Sequence, residues 1–476
     1  MKNFRYIIII VSVSIWWSSC IIPHIVSKDV NKNIPNKYGY ALSDDTTSIA
    51  YIKWKNFFAD PVLNGLIDTA LQNNQELNIV LQELIIAKNE IREKKGEYLP
   101  FVNIGAVSEL DKVGEYTRNG AVERELNITE EAPFPTPFSN YALAAVAHWE
   151  VDIWKKLRNA KQAAVMRYMA TVEGRNFLIT QLVAEIAENY YELLALDNRL
   201  KILETNAQIQ RRALKVMEQR KKAGQVTQLA VNRFRAQFLD TKSLIYQTKQ
   251  QIVETENKIN FLTGRYPKPI PRNAELFFQI NLDTLSQGVP SQLLLNRPDV
   301  RQAEYMLQAA KLDVKSARAN FFPSLGISAG LGFNAFKPGL LVNPASVMYN
   351  LAGDIVAPLV NRNAIKAYYL SANAKQIQAA YKYEQTLVQA YTDVLNQLAK
   401  IQNYMESYKF KKQQVEVLDE SVDISNSLFR WARADYGEVL LTQREVLDAK
   451  LELIEVHLKQ LEAKVNLYRA LGGGWR

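Results

Sequence analysis

The feature that most limits the fold of this chain is a stretch of more than one hundred residues without a proline. Residues 156–262 contain no proline, and Gly174 and Gly224 are their only glycines. The average helix of a globular protein has ~11–12 residues, whereas a helix from 156 to near 220 would be about 95 Å long. Helices of this length occur in coiled coils, helical repeats and membranes. The many charged residues of the stretch exclude a membrane span.

Apolar residues recur at every seventh position in two parts of the chain. One stripe is Phe238, Ile245, Ile252 and Ile259, and the other is Leu440, Leu447, Ile454 and Leu461. Sustained seven-residue spacing buries a seam between neighbouring helices. The sequence therefore predicts coiled-coil packing of long helices, and it predicts that the last two helices run from about 364 to 431 and from 435 to 470.

An internal duplication decides the architecture. The segment LIIAKNEIREKKGEYLPFVNIGA (84–106) matches LQAAKLDVKSARANFFPSLGISA (307–329) at an offset of 223 residues. INFLTGR, which contains Gly264, matches LYRALGG, which contains Gly472, at an offset of 208. We therefore predict a first repeat over 61–264, a proline-rich linker over 265–297 and a second repeat over 298–476. Each repeat has the order helix, strand, strand, long helix, long helix.

The predicted strands alternate small or polar residues with apolar and aromatic ones, which is the weak signature of a membrane β-strand. They lie near 101–111 and 140–152 in the first repeat, and near 324–333 and 351–359 in the second. Four strands cannot close a barrel in lipid, where unpaired backbone N–H and C=O groups cost too much. We therefore expect several chains to share one barrel. A small soluble sheet covered by helices is the alternative on composition alone.

The segment Gly326-Ile327-Ser328-Ala329-Gly330 spells G-x-S-x-G, which can mark a serine nucleophile at a strand-to-helix turn. Here the order is helix, Pro323, strand, and the duplicate of Ser328 is Gly105. A triad also needs a histidine base. The three histidines are His24 in the N-terminal tether, His148 in a predicted strand and His457 inside a coiled-coil helix. No H-x-x-H pair, phosphate loop or dinucleotide fingerprint is present, so the sequence predicts no enzyme, no metal and no cofactor.

The first twenty residues read as a secretory signal that ends in a lipidation site. Lys2 and Arg5 precede an apolar run that is too short to span a membrane, and Cys20 is the only cysteine. We predict a signal peptide over 1–19, a lipid on Cys20, and a tether with adjoining segment over 20–60. An ordinary signal peptide that happens to contain a cysteine is the alternative.

The net charge of +9 and the pI near 9.2 could suggest a nucleic-acid partner. Lys and Arg are interspersed with Asp and Glu along the helical stretches, however, as on solvated helix faces. Together with the secretion signal, this pattern argues against nucleic acid.

Five segments carry a likeness to one family. They are WKNFFADPVLNGLIDTAL, HWEVDIWKKLRNAKQAA, RKKAGQVTQLAVNRFRAQ, LLLNRPDVRQAEYMLQAAKLDVKSARANFFPSL and VNLYRALGGGW. The chain resembles the TolC/NodT-like outer-membrane factors from about Trp54 to Arg476. The resemblance implies a homotrimer with a long α-helical coiled-coil barrel and a 12-stranded β-barrel in the Gram-negative outer membrane. It implies the passive exit duct of a tripartite pump that works with a periplasmic membrane-fusion adaptor and an inner-membrane pump, the resistance–nodulation–division type being favoured.

The resemblance also assigns two helix–helix turns to the periplasmic tip, where an adaptor would dock. The first turn spans 220–226, starts at Arg220 and contains the family's glycine as Gly224. The second lies within 428–444, and there the position of that glycine is Ala432. The residues that fit the family pattern in the second turn are Phe429, Arg430 and Tyr436.

The closing constriction of the tip departs from the family pattern. A bulky apolar residue is expected where Gly437 stands, and a carboxylate is expected where Leu441 stands, whereas the arginine remains as Arg444. The sequence therefore suggests other gate residues. We predict that Asp423, Asp435 and Glu438 pair with Arg430 or Arg444 to hold the tip closed.

Three other functions have to be weighed against an efflux duct. A duct for protein secretion through an ABC transporter would share the same architecture. A periplasmic adaptor or a structural coiled-coil lipoprotein would show one hairpin rather than a tandem repeat with two. An enzyme would need a site that the sequence does not contain. None of these patterns names the exported compound or the cognate pump.

Overall fold

We describe the protein from a computed structural model that covers residues 22–26, 28–40, 46–130, 132–280, 286–431 and 433–476. The predicted signal peptide, Cys20 and Ala432 lie outside these residues. Among the helices described, none is both long enough and apolar enough to cross a membrane.

The first repeat begins with two helices and ends with two longer ones. Its helices are α1 (Pro61–Asn73), α2 (Gln75–Glu97), α3 (Arg118–Glu125), α4 (Lys156–Lys222) and α5 (Gln228–Leu262). Its strands are β1 (Phe101–Asp111), β2 (Asn127–Thr129), β3 (Ala132–Pro133) and β4 (Phe138–Val151). Asp60 starts α1 by accepting hydrogen bonds from the N–H groups of Val62 and Leu63, with a proline at the first helical position.

The second repeat has the same order with fewer insertions. Its elements are α6 (Pro298–Ala319), β5 (Ser324–Ala335), β6 (Val347–Val356), α7 (Asn363–Arg430) and α8 (Tyr436–Ala470). Both ends of α5 and α8 differ by 208 residues, and the starts of α2 and α6 differ by 223. The offsets read from the sequence therefore hold for the elements themselves.

Two segments differ from the sequence prediction. Strand β6 lies at Val347–Val356 rather than near 351–359. It ends early because Pro358 offers no N–H to a neighbouring strand, and Asn361 then takes a positive φ of 53°. The loop after β1 was expected to be irregular, but it contains α3 and the small β2–β3 hairpin.

The chain divides into two compact units. The first unit, residues 1–29, 85–169 and 305–381, contains an antiparallel sheet in the order β1-β4-β5-β6. Strand β4 of the first repeat pairs with β5 of the second, so the duplication produces one continuous sheet. Among the described strands, β1 and β6 each have only one neighbour.

The second unit, residues 30–84, 170–304 and 382–476, is helical. Its core joins α1 to the parts of α4, α5, α7 and α8 that belong to this unit. The largest fully buried side chains of this core include Tyr190, Tyr383, Phe58 and Phe277. The phenol of Tyr190 donates a hydrogen bond of 2.6 Å to Asp60, so the buried hydroxyl is satisfied.

Candidate channel wall and helical tip

The strand register sorts the sheet into two chemically different faces. Val102 pairs with Ala147, Leu143 with Phe333, and Leu331 with Tyr349, and these residues lie on one face. We call this the apolar face; Ile104, Ala145, Trp149, Ile327, Leu351 and Ile355 belong to it as well. Ile104 is 80% exposed and Tyr349 is 83% exposed. Such a continuous apolar surface on a sheet requires an apolar environment.

The opposite face of the sheet, the polar face, carries small and hydrophilic residues. It includes Asn103, Glu109, Asn140, His148, Glu150, Ser328, Asn334, Asn350 and Asp354. Gly326 makes room on this face, because a Cβ there would lie 2.5 Å from a carboxylate oxygen of Asp354. A sheet with one apolar and one polar face has the pattern of a membrane strand set that lines an aqueous lumen.

The serine of the G-x-S-x-G pattern lies in the middle of β5, not at a strand-to-helix turn. Ser328 is directly opposite His148 in the β4–β5 register, a neighbour that sequence reasoning missed. No hydrogen bond joins these two side chains in the described part of the chain. The regular strand confirms the rejection of a nucleophile elbow, which needs the strand to end at the serine.

No cluster of three or more His, Cys, Asp or Glu side chains with the geometry of a metal site occurs among the described residues.

The first predicted tip turn has the geometry of a glycine-terminated helix. Gly224 has a φ of 69°, its N–H donates to the carbonyl of Lys221, and the N–H of Gln225 donates to the carbonyl of Arg220. This is the Schellman arrangement that favours glycine. In the second turn the N–H of Arg433 donates to the carbonyl of Leu428 over 2.9 Å, which is the equivalent of the bond between Gln225 and Arg220.

The two tip turns of one chain pack together. The guanidinium of Arg220 lies 4.6 Å from the ring centre of Phe429, which is a cation–π contact between α4 and α7. Phe429 and Tyr436 also pack against an apolar cluster that contains Met217 and Phe234. A cavity of about 350 Å³ lies beside this contact and is lined by Val216, Asn426, Arg430, Val439 and Gln443 among others. The sequence pointed to Arg220 and Phe429 separately but not to their contact.

The predicted gate residues make local contacts within one chain. Asp435 caps α8 by accepting a hydrogen bond from the N–H of Gly437. Arg444 pairs with Asp448 over 3.6 Å, and Arg430 donates to the hydroxyl of Ser427 over 3.2 Å. In the described residues of a single chain, no ion pair joins Asp423, Asp435 or Glu438 to Arg430 or Arg444. Leu441 is 56% exposed. Pairing of the gate residues between copies stays a prediction.

The residues just after Cys20 are packed rather than loose. Ile22 and Ile25 contact an apolar cluster that contains Phe321 and Tyr369. The side-chain amide of Asn373 donates a hydrogen bond of 3.2 Å to the carbonyl of Val26. The predicted tether is therefore fixed against α6 and α7 in this unit, which its polar and proline-bearing sequence did not indicate.

Comparison with known proteins gives the family context. Residues 66–265 and 289–473 match the sequence profile of the family described as outer membrane efflux protein. Over 422 residues the chain is 26% identical to the probable outer membrane lipoprotein SilC of Salmonella typhimurium, which covers 89% of this chain and 88% of SilC. Over 444 residues it is 27% identical to the toluene efflux pump outer membrane protein TtgI of Pseudomonas putida, which covers 93% and 92%.

Among solved structures, the outer-membrane channel OprN has the same fold. The two chains superpose with a TM-score of 0.84 at 24% identity, over 96% of this chain and 99% of OprN. The duplicated helical and strand architecture predicted from the sequence is thereby confirmed.

Proposed function

Since this chain belongs to the outer membrane efflux protein family, we propose that three copies of it form the outer-membrane exit channel of a tripartite pump. The channel carries small molecules passively from the pump to the outside. An aqueous path needs a wall and a gate but no catalytic group. The energy for transport is supplied by the inner-membrane pump.

The observation that carries this proposal is the four-stranded sheet with its apolar and polar faces. In lipid, the unpaired edges of β1 and β6 would leave backbone N–H and C=O groups unsatisfied, which costs several kcal/mol for each group. Pairing β6 of one copy with β1 of the next removes both edges. Three copies then supply twelve strands, with the apolar face toward lipid and the polar face toward water.

Exposed apolar stripes on the helices support the same assembly. Along α7, the residues Phe410, Val417, Ile424 and Trp431 are spaced by seven and are between 51% and 80% exposed. On α5, the residues Leu239, Tyr246 and Val253 are also spaced by seven and are between 49% and 67% exposed. Seven-residue spacing is typical of a seam between helices. These seams have no partner in one described chain and would be buried by neighbouring copies.

We propose that Cys20 carries the lipid that anchors this channel. The packing of Ile22 and Ile25 against Phe321 and Tyr369 holds the chain two residues after the cysteine in a fixed place. A fixed attachment point costs less entropy on membrane binding than a free tether would. The relative SilC is named a lipoprotein, which is consistent with this assignment.

The partners that we propose are a periplasmic adaptor at the two tip turns and an inner-membrane pump of the resistance–nodulation–division type. The relative TtgI is named for toluene efflux, which favours a small-molecule duct over one for secreted proteins. The exported class for this chain is best tested by growth of a deletion strain on metals, solvents and antibiotics.

The first test is the mass of the detergent-purified mature protein by multi-angle light scattering, followed by conductance in a planar bilayer. We expect three chains per particle and stable conductance steps. A particle of one chain that is soluble without detergent and does not conduct would overturn the proposal.

A further inference from the structure

The two long helices that reach the tip carry opposite charges at equivalent positions. Residues 209–222 of α4 contain six cations and one carboxylate, whereas the equivalent residues 417–430 of α7 contain three carboxylates and one cation. Arg212 corresponds to Glu420, because the offset between the repeats is 208. The apolar positions have kept their character, since Ile209 corresponds to Val417. The duplication has therefore inverted the charge while keeping the seam.

Contacts within one chain leave most of these charges unused. Arg235 pairs with Glu218 over 3.0 Å, and Lys450 pairs with Asp419 over 2.6 Å. Each pair lies inside its own hairpin. Among the described residues, no ion pair links the tip half of α4 to the tip half of α7. The exposed charges that remain are Arg211, Arg212, Lys215 and Lys222 on α4, and Glu416, Glu420 and Asp423 on α7.

The contact between α4 and α7 within a chain defines which helix faces meet. The α4 face that contains Val216 and Arg220 lies against the α7 face that contains Asn426 and Phe429. This contact brings the first repeat to one side of the second.

In the trimer of the proposed function, on which this inference rests, the second repeat of one copy stands beside the first repeat of the next. Because the repeats are equivalent, the same faces should meet there with the roles exchanged. Adding 208 to Arg220 gives Leu428, and subtracting 208 from Phe429 gives Lys221. The face of α7 with Ile424 and Leu428 would then lie against the face of α4 with Lys221 in the neighbouring copy.

We propose that α7 of one copy and α4 of the next are held together near the tip by ion pairs between these faces. On α7, Glu416 and Glu420 lie on the turns just before Ile424 and Leu428. On α4, Arg211 and Lys215 share a stripe with Lys222, at spacings of four and seven residues. The neighbouring copy is thus the partner that each charged face fits, and the helices alternate between basic and acidic around the ring.

This arrangement gives the tip a distributed electrostatic closure. Every interface between copies repeats three times around the axis, so each exposed pair contributes three times. Screening by salt weakens such pairs, because the Debye length falls from about 10 Å at 0.1 M to about 3 Å at 1 M salt. The stability of the tip contact should therefore fall as ionic strength rises.

The register can be tested by cysteine cross-linking in the full-length protein with a short bis-maleimide. The variant with Leu428→Cys and Lys221→Cys should give covalent dimers and trimers on a denaturing gel. The matched variant with Arg220→Cys and Phe429→Cys should cross-link within a chain and stay at the mass of one chain. The wild-type protein controls for reaction at Cys20.

The outcomes separate this inference from the proposed function. A protein that is not trimeric by light scattering would overturn the proposed function itself. A trimer in which the Arg220/Phe429 variant cross-links within the chain, but the Leu428/Lys221 variant gives no covalent multimer, would overturn only the proposed register.

The charge pairing can be tested by reversal. Lys215→Glu and Glu420→Lys should each lower the temperature at which trimers dissociate, the double variant should restore it, and the differences should vanish in 1 M salt. A double variant that is no better than the single variants would refute the pairing. Unchanged trimers with reduced binding of a purified adaptor would also refute it, and would assign the charges to adaptor docking instead.

Discussion

Asn74 and Arg297 are 223 positions apart in the sequence and make the same contact in the two repeats. The side-chain amide of Asn74 donates a hydrogen bond of 2.9 Å to the carbonyl of Leu262, the last residue of α5. The guanidinium of Arg297 donates one of 3.0 Å to the carbonyl of Ala470, the last residue of α8. Both carbonyls lack a partner within their helix. The duplication has thus preserved the joint and changed its chemistry.

The exchange of asparagine for arginine makes the second joint more costly to break. Arg297 is only 6% exposed and also pairs with Asp299 over 2.7 Å and with Asp393 over 3.2 Å. We expect Arg297→Ala to lower the free energy of unfolding by about 3–5 kcal/mol, because it leaves carboxylates without their buried partner. Asn74→Ala should cost about 1–3 kcal/mol. Urea unfolding followed by circular dichroism measures both, and equal losses would contradict the distinction.

Two glycines with positive φ predict very different tolerance to alanine. Gly472 has a φ of 88°, and a Cβ there would lie 2.5 Å from the carbonyl oxygen of Asn296. Gly224 has a φ of 69° but no atom within 4 Å of such a Cβ. Gly224→Ala should therefore cost only the left-handed backbone strain of about 1–2 kcal/mol. Gly472→Ala should cost clearly more, because backbone must move.

The comparison of these two variants needs only thermal unfolding of each in the same detergent. A smaller loss for Gly472→Ala than for Gly224→Ala would show that the crowded joint is not rigid. The presence of Ala432 at the position equivalent to Gly224 agrees with a low cost at a tip turn.

The duplication explains why the long elements could be predicted from the sequence. Seven-residue apolar stripes and the offset of 208 fixed both ends of α8 to within one residue, because periodicity and repetition are properties of the sequence itself. The contact between Arg220 and Phe429 could not be predicted, since it joins side chains 209 positions apart whose helix rotation is set by packing. The same holds for Ser328 and His148, which only the strand register brings together.

The buried histidine predicts a stability effect that depends on pH. His457 is 4% exposed, and its Nε2 lies 2.9 Å from the carbonyl oxygen of Phe277. Burial lowers the pKa of His457 below 6.5, and hydrogen bonds to Phe277 and Gln460 oppose this shift only in part. The unfolded chain therefore takes up the proton first as pH falls. The contribution of neutral His457 is complete above pH 6.5 and declines below it.

His457→Phe tests this sign. The variant loses the hydrogen bond to the Phe277 carbonyl, so it should be less stable than the wild type at pH 8. The only ionisable ring facing the site from α7 in the described residues is Tyr408, 5.2 Å away, whose pKa is raised by burial. The stability gap between the two proteins should therefore narrow between pH 7 and pH 5. A gap that stays constant or widens would contradict the prediction.

Two adjacent residues of β5 test which face of the sheet meets lipid. Ala329 lies on the apolar face and Ser328 on the polar face, both near the middle of the strand. Ala329→Arg should destabilise the membrane-inserted trimer by about 2–4 kcal/mol, the cost of an arginine at the bilayer midplane. Ser328→Arg should leave assembly intact and change single-channel conductance. Reversed behaviour of the pair would mean that the faces are assigned the wrong way round.

The role of Asp435 can be divided between its hydrogen bond and its charge. Its carboxylate caps α8 through the N–H of Gly437, and replacing such a cap by alanine costs about 0.5–2 kcal/mol. Asn is an equally good cap without the charge. If Asp435 takes part in closing the tip through ion pairs, then Asp435→Ala and Asp435→Asn should both admit large antibiotics through the outer membrane. If only the cap matters, Asp435→Asn should behave as wild type. Unchanged permeability in Asp435→Ala would remove the residue from the gate altogether, and closure would then have to depend on the charges farther from the turn.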